Sequence, residues 1–290
     1  MPRRLHIILG PTAVGKTDYA IGKAMEYGSP VISCDSRQIY KEMSIGTAVP
    51  DASQLSAVKH YFIQTESVTR MYTAGDYETD AVALLERLFD EGHEQLVMCG
   101  GSMFYIDAVC RGLDSFPDAD PELRASLMRT WKTEGVEPLV ERLLALDPAT
   151  CAVIDLRNGQ RVIRALEVCL MTGRPFSSFK TGVVKERSFT IEKIGLDLPR
   201  EELYERINAR TDRMLSEGLV EEVRGLAQYR GLAALQTVGY QEIFQYLDGD
   251  IDLPEARRLI ARNTRHYAKK QLSWWRRDPS IRWKTGSNAH

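Results

Sequence analysis

Residues 10–17 read Gly-Pro-Thr-Ala-Val-Gly-Lys-Thr and match G-x-x-x-x-G-K-[ST] at every fixed position. In a chain of this length four such positions coincide by chance only about 1% of the time. The motif demands a buried strand before it and a helix after it, because the glycines turn backbone N–H groups inward around an anion and the helix aims its positive end at the same place. Both flanks are present. Arg4–Leu9 is a short apolar run, and Thr17–Tyr27 has helical spacing closed by Gly28. Gly10, Pro11, Thr12, Ala13, Val14, Gly15, Lys16 and Thr17 are therefore the candidate phosphate cradle, with Lys16 as point charge and the Thr17 hydroxyl suited to Mg²⁺. The loop alone does not say what carries the phosphates. A nucleotide kinase, an ATPase and a pyrophosphate-releasing transferase all use one.

The rest of the first third repeats the strand–helix rhythm. Pro30–Cys34 predicts a second strand ending at Asp35, Thr79–Phe89 a helix, and Gln95–Cys99 a third strand running into Gly100-Gly101-Ser102. Alternation of this kind predicts an α/β fold of P-loop NTPase-like type, a parallel sheet flanked by helices with right-handed crossovers. From Asp114 the pattern becomes wholly helical, punctuated by Pro117, Pro121 and Pro148, with apolar spacing over Leu139–Leu146 and Val153–Leu170. Strand character returns at Thr190–Leu198. A long amphipathic helix is expected from Glu201 to about Ala227, then further helices to the end. The domains expected are a core of residues 1–113 and 186–290 with a small all-helical insert over 114–185. The Gly10 loop, Asp35 and Gly100–Ser102 each follow the carboxyl end of a strand, the edge at which open parallel sheets bind ligands.

Asp35-Ser36-Arg37-Gln38-Ile39-Tyr40 places a carboxylate beside the phosphate loop. By residue type alone Asp35 is equally a helix N-cap, a metal ligand or a proton acceptor. A wider set of motifs resembles one family. GPTAVGKT, DSRQIY, IGTAVP at Ile45, GGSMFY at Gly100, QRVIRALEV at Gln160, RTDRMLSEGLVEEVRGL at Arg210, VGYQEI at Val238 and NTRHYAKKQLSWWR at Asn263 follow one another collinearly. In that order they are similar to the tRNA dimethylallyltransferases (isopentenyl-tRNA transferases) over nearly the whole chain.

The resemblance implies transfer of a dimethylallyl group from dimethylallyl diphosphate to N6 of the adenosine 3′ to the anticodon of tRNA, with Mg²⁺ assisting and pyrophosphate leaving. It implies that Asp35 accepts the N6 proton and that Arg210 joins Lys16 on the pyrophosphate. It further implies that Ser102 contacts the nucleotide, and that Asp35, Ser36, Arg37 and Gln38 touch the target base and its neighbour. Gln160, Arg161, Val162, Ile163 and Arg164, with Arg124 from PELRASL, are implied to meet the anticodon arm. Three positions depart from the family pattern: Gln64 replaces an acid, Val49 stands where a lysine is usual, and Ser102 replaces threonine. No Cys/His cluster follows His266, so the likeness is to the bacterial members without a zinc finger.

Net charge is −2, which conceals a polarity. Between Ala256 and Lys284 stand ten Lys/Arg and one acid, Asp278, so this stretch carries about +9 and the remainder about −11. Arg258, Arg262, Arg265 and Lys269 recur at helical spacing with Tyr267, Trp274 and Trp275 interleaved, an RNA-binding composition in which at least one tryptophan is expected in the core. In the insert, Arg157, Arg161 and Arg164 fall on one helical stripe while Ile163, Leu166 and Leu170 face a core. The five cysteines are odd in number, lack CxxC pairing and read as reduced core residues. With no signal peptide and no run long enough to span a bilayer, the expectation is a cytoplasmic protein acting on tRNA and dimethylallyl diphosphate. No membrane and no obligate protein partner is expected, and the chain is taken as a monomer.

Overall fold

The structure is a computed structural model describing residues 2–285. Its chain divides into two compact units, Met1–Cys110 with Glu186–His290, and Arg111–Lys185.

The first unit is built on six parallel strands: β1 (Arg4–Leu9), β2 (Val31–Ser33), β3 (His60–Tyr61), β4 (Gln95–Cys99), β5 (Thr190–Asp197) and β6 (Ile281–Thr285). Their order is β3-β2-β4-β1-β5-β6. Central strands buried on both faces read as continuous apolar runs, and β1 obeys this. Leu5, Ile7 and Leu9 enter one core layer, while Ile8 enters the opposite one. In β4, Leu96 and Met98 face the first layer, Val97 and Cys99 the second. Arg4 at the exposed start of β1 and the buried His6, which lies beside Glu192, interrupt the run of β1. From Ile7 to Leu9 and from Leu96 to Cys99, however, a single charge would land in a dry layer, whichever way it pointed.

Helices α1 (Lys16–Tyr27), α2 (Ala52–Ala57), α3 (Ala74–Asp90) and α4 (Met103–Arg111) fill the first half. α1 packs Ala20 and Ala24 onto the Ile8 layer and ends at Gly28, whose φ of 60° is the left-handed C-cap the sequence predicts. Helices α9 (Arg200–Ser216), α10 (Leu219–Gly225), α11 (Tyr240–Leu247) and α12 (Leu253–Trp275) follow the second half.

Two expectations fail here. The helix expected over residues 201–227 is two, because Gly218 adopts a φ of 102° and serves as N-cap of α10. The chain also does not end in helices alone. Ile281–Thr285 pairs with β5 from Lys193↔Ile281 to Asp197↔Thr285 and closes the sheet edge.

The second unit contains α5 (Pro121–Glu134), α6 (Glu137–Leu146), α7 (Pro148–Cys151) and α8 (Gly159–Thr172). Its own core is Leu127, Leu139, Leu143, Val162, Ile163 and Leu166. Asp147, only 1% exposed, ties the end of α6 to the segment after α8. Its carboxylate accepts the N–H and hydroxyl of Thr150 (3.0 and 2.6 Å) and of Ser177 (2.7 and 2.8 Å). The helix read as starting at Val153 starts at Gly159, because the Asn158 side chain accepts from Arg161 N–H and caps it there. No helix among the described residues is long and apolar enough to cross a membrane.

Candidate active site

Strands β2, β4 and β1 are neighbours, so the three loops leaving their carboxyl ends are brought side by side. These loops carry Asp35, Gly100–Ser102 and Gly10–Thr17. Gly10 has a φ of 148°, and a Cβ there would stand 2.4 Å from the Leu196 carbonyl oxygen of β5, so no other residue fits the turn. Two cavities open on this edge. The larger, about 800 Å³, is lined by Gly15, Lys16, Thr17, Asp35, Gln38 and Arg210 among others. The smaller, about 370 Å³, is lined by Thr12, Asp35, Ser102, Arg210, Tyr267 and the apolar Ile207, Met214 and Ile260. Asp35 and Arg210 line both. The expected meeting of the Asp35 carboxylate and the Lys16 cradle at one cavity is found.

Lys16 donates to the Pro11 carbonyl at 2.7 Å. Withdrawal from water pulls its ammonium down to about 8, and the Arg210 guanidinium pushes the same way, against the anionic influence of Asp35. Arg210 itself is pulled down by burial, again opposed by Asp35, and its guanidinium donates to the Thr47 carbonyl at 3.4 Å. Two cations and one carboxylate thus share the lining of one partly desolvated place. Such a site gains from a polyanion. Cys34 and Cys99 lie against the same loops, and burial pushes both thiols up, Cys99 to about 12, so they are neutral packing groups and not nucleophiles.

Asp35 caps a turn, where no helix follows, and it also lines both cavities. Its Oδ1 accepts the N–H groups of Arg37 (2.9 Å) and Gln38 (3.3 Å), capping the turn, while Oδ2 has no hydrogen-bond partner among the described residues. The Ser102 hydroxyl lines the smaller cavity, accepts Ser36 N–H at 2.8 Å and donates to the Ser36 hydroxyl at 2.9 Å, so it joins two loops. Gln38 donates to the Thr47 and Ala48 carbonyls at 3.2 and 2.8 Å. Within the phosphate loop Thr12 N–H is already bound, to Gln271 Oε1 at 2.9 Å, and Val14 N–H reaches Pro11 O at 3.4 Å. The donors left for an anion are those of Ala13, Gly15 and the first turn of α1, which lacks i−4 partners by construction. Pro11 and Val14 themselves are buried.

Several site residues escaped the sequence. Arg206 and Arg213 line the larger cavity with Arg210, and their spacing of four and three residues on α9 was the available signal. Gln271, 1% exposed, holds Thr12 N–H with one end and donates to the Gly101 carbonyl at 2.8 Å with the other. Tyr267 donates to the same carbonyl at 3.3 Å.

The residues matched to the anticodon arm divide sharply. Gln160 and Arg161 are exposed, but Val162 (0%) and Ile163 (2%) lie in the core of their unit, where the helical spacing puts them, and cannot touch an RNA. Arg124 and Arg164 both pair with the buried Glu167 carboxylate, at 2.6 and 2.7 Å, and Arg164 also donates to Pro117 O. Arg157 is off the expected stripe, lying before α8 and paired to Asp155. Leu170 is 38% exposed, not core. On α12, Lys269 and Arg262 are exposed, Arg265 packs over the Tyr204 ring and donates to Asn208 at 2.8 Å, and Arg258 pairs with Glu255. Trp275 is core, as expected of one tryptophan, and Trp274 donates to Asp107 at 3.0 Å.

The family model described as IPP transferase matches residues 38–278. A tRNA dimethylallyltransferase of Porphyromonas gingivalis is 51% identical over 96% of this chain and 93% of that protein. Another, of Azobacteroides pseudotrichonymphae, is 48% identical over 97% of this chain and 91% of that protein. Among solved structures, the full-length tRNA isopentenylpyrophosphate transferase of Bacillus halodurans matches with a TM-score of 0.71 at 35% identity, over 98% of this chain and 90% of that one. A eukaryotic dimethylallyltransferase studied acting on tRNA has the same fold, with a TM-score of 0.82 at 21% identity, over 99% of this chain and 74% of that one.

Proposed function

The chain belongs to the IPP transferase family, and from that premise we propose that it transfers a dimethylallyl group from dimethylallyl diphosphate to N6 of the adenosine 3′-adjacent to the anticodon of tRNA, releasing pyrophosphate. The observation that carries the reading is Asp35 lining one cavity with Lys16 and Arg210. A carboxylate facing two desolvated cations suits a reaction in which one end of a small molecule gains charge while a proton leaves the other partner.

The exocyclic amine of adenine is a weak nucleophile, and a carboxylate with an ordinary pKa of about 3.9 does not deprotonate it in the ground state. The order of events follows. The allylic C–O bond loosens first, the bonding pair leaving with pyrophosphate, and N6 attacks the allylic carbon. Attack acidifies the N6 proton, which passes to Asp35 Oδ2, the oxygen that the turn does not use. The N–H groups of Ala13, Gly15 and the first turn of α1, with Lys16 and Arg210, stabilise the charge developing on the diphosphate. Thr17 offers a hard oxygen to Mg²⁺, and no cluster of three or more His, Cys, Asp or Glu able to hold a metal occurs among the described residues. That donor set suits an ion carried mainly by substrate oxygens and water. Bound there, Mg²⁺ would neutralise diphosphate charge.

A base in the folded anticodon loop reaches Asp35 only if it is swung out of its stack. Ser36, Arg37 and Ser102 line the smaller cavity beside Asp35 and are the groups assigned to it, while exposed Gln160, Arg161 and Lys269 are assigned to phosphates. The protein acts in the cytoplasm as a monomer. The decisive experiment incubates the chain with labelled dimethylallyl diphosphate and unmodified tRNA, without ATP. Label on N6 of the adenosine beside the anticodon is the expected result. ATP-dependent phosphorylation, or tRNA binding with no transfer of label, would replace this reading with a kinase or a binding protein.

A further inference from the structure

Three successive main-chain N–H groups, those of Ser44, Ile45 and Gly46, converge on a single carboxylate. Glu222 Oε2 accepts Ser44 N–H at 2.9 Å and Ile45 N–H at 2.7 Å, and Oε1 accepts Gly46 N–H at 3.0 Å. The Tyr240 hydroxyl donates to Oε1 as well, at 2.6 Å. Successive N–H groups in a turn form a nest that ordinarily takes an anion from solution. Here the anion is a side chain delivered by α10, and it forms no ion pair among the described residues. Burial, and then the Glu222 charge, hold the Tyr240 phenol well above its usual range, so it stays a donor.

The packing leaves no slack. A Cβ at Gly46 would stand 2.5 Å from the Tyr240 ring, so the nest is pressed against the residue that shares its carboxylate. Gln64, the position departing from an acid, donates to the Ser44 hydroxyl at 2.7 Å from the other side. The buried Thr47 follows directly. Its hydroxyl donates to Met43 O at 2.6 Å, and its carbonyl accepts both Arg210 (3.4 Å) and Gln38 (3.2 Å). Gly46 and Thr47 wall the smaller cavity, and Ser44, Ile45, Ala48 and Val49 the larger.

We propose that Glu222 is a positioning residue for diphosphate capture: its carboxylate fixes the Ser44–Gly46 nest and thereby the Thr47 carbonyl that aims Arg210 into the shared cavity. The proposal rests on the transferase reading for its substrate and gives the GLVEEV and VGYQEI motifs a common role. Three backbone donors and a phenol oriented on one carboxylate are too many for a solvated surface acid, and the residue that follows them is bonded to Arg210, which lines both cavities with Asp35.

The test is Glu222→Gln. An amide nitrogen cannot accept, so whichever oxygen it replaces, at least one backbone N–H of the nest is left facing a donor. The KM for dimethylallyl diphosphate and the Kd for pyrophosphate, measured by calorimetry without tRNA, are expected to rise about tenfold, the size of one charge-assisted hydrogen bond to the ligand. kcat falls as well, because Arg210 also stabilises the charge developing on the leaving diphosphate, while tRNA affinity stays within about threefold. A variant that is merely unstable loses kcat in proportion to its folded fraction with KM and Kd unmoved, and that result overturns the proposal. In an Arg210→Ala background Glu222→Gln should add less than about twofold, whereas a full additional tenfold loss shows that Glu222 does not act through Arg210. Should Glu222→Gln fail to fold, Tyr240→Phe removes one donor and keeps the ring; a smaller rise in pyrophosphate Kd supports the proposal and an unchanged Kd refutes it. Absence of prenyl transfer by the wild type would sink the transferase reading and leave the pyrophosphate measurement to judge Glu222.

Discussion

The lowered pKa of Lys16 makes pyrophosphate binding a titration. With the ammonium at about 8 in the free protein, some nine-tenths of molecules carry the charge at pH 7 and about one-tenth at pH 9. If the charged form is the binding-competent one, the apparent Kd is the intrinsic value divided by that fraction, so affinity falls about tenfold between these two pH values. The sign is fixed by the ligand. A bound polyanion favours the cation, so binding strength is present below pH 8 and is lost as pH rises through it, and each binding event at pH 9 takes up a proton. Pyrophosphate loses protons of its own in this range, which works against the effect; Lys16→Arg separates the two. The guanidinium stays charged throughout, so the ratio of wild-type to variant affinity should fall about tenfold from pH 7 to pH 9. Isothermal calorimetry in buffers of different ionisation enthalpy reads both the affinity and the proton uptake. A constant ratio, or no uptake at pH 9, would refute the argument. The same shift has a stability counterpart. Lys16 titrates lower folded than its ordinary 10.5, so the unfolded chain holds the extra proton between about pH 8 and 10.5, and the ligand-free protein gains stability as pH rises across that window.

Asp35→Asn keeps an oxygen to cap the turn and removes the proton acceptor; single-turnover transfer should fall about 10³-fold with tRNA affinity within several-fold, and a variant keeping a tenth of the rate would acquit Asp35. Raising salt from 50 to 200 mM should weaken tRNA binding at least about tenfold in filter binding, and salt-independent binding would remove the phosphate-tracking role of exposed groups such as Arg161 and Lys269. Asp147→Ala strands the Thr150 and Ser177 donors and should destabilise the helical unit by about 3 kcal/mol in urea titration, where a loss under 1 kcal/mol would contradict the assigned network. The Asp147 carboxyl lies below its ordinary 3.8, because the hydrogen bonds from Thr150 and Ser177 outweigh burial, so its contribution is full above that pH and drains away as the solution is acidified further.

What the sequence disclosed depended on how local the cause was. The phosphate loop, β1, β4 and the Gly28 cap are set by residues adjacent in the chain, and they stand where the pattern puts them. Asp35 was locatable but ambiguous, because whether a carboxylate caps a turn or faces a cavity depends on strands β4 and β1 beside it; it does both. The long α9–α10 reading failed because apolar spacing continued across Gly218, and only its positive φ shows that the axis breaks. β6 was missed for a different reason. Its five residues alternate properly, but a short edge strand behind a basic helix looks like the fraying end of that helix. The charge count of the tail overstated its freedom, since Arg258 and Arg265 have partners within the fold, as do Arg124 and Arg164 in the insert. Arg258 with Glu255 and Arg164 with Glu167 are i,i+3 pairs that spacing offers, whereas Arg124 on Glu167 and Arg265 on Asn208 are tertiary facts that no spacing reveals.

The bond between Gln271 and Thr12 spans 259 residues of chain. One amide on α12 thus joins the loop after β1 to the turn after β4, so the phosphate cradle keeps its shape only while α12 is docked, and a substitution that loosens α12 loosens the cradle with it.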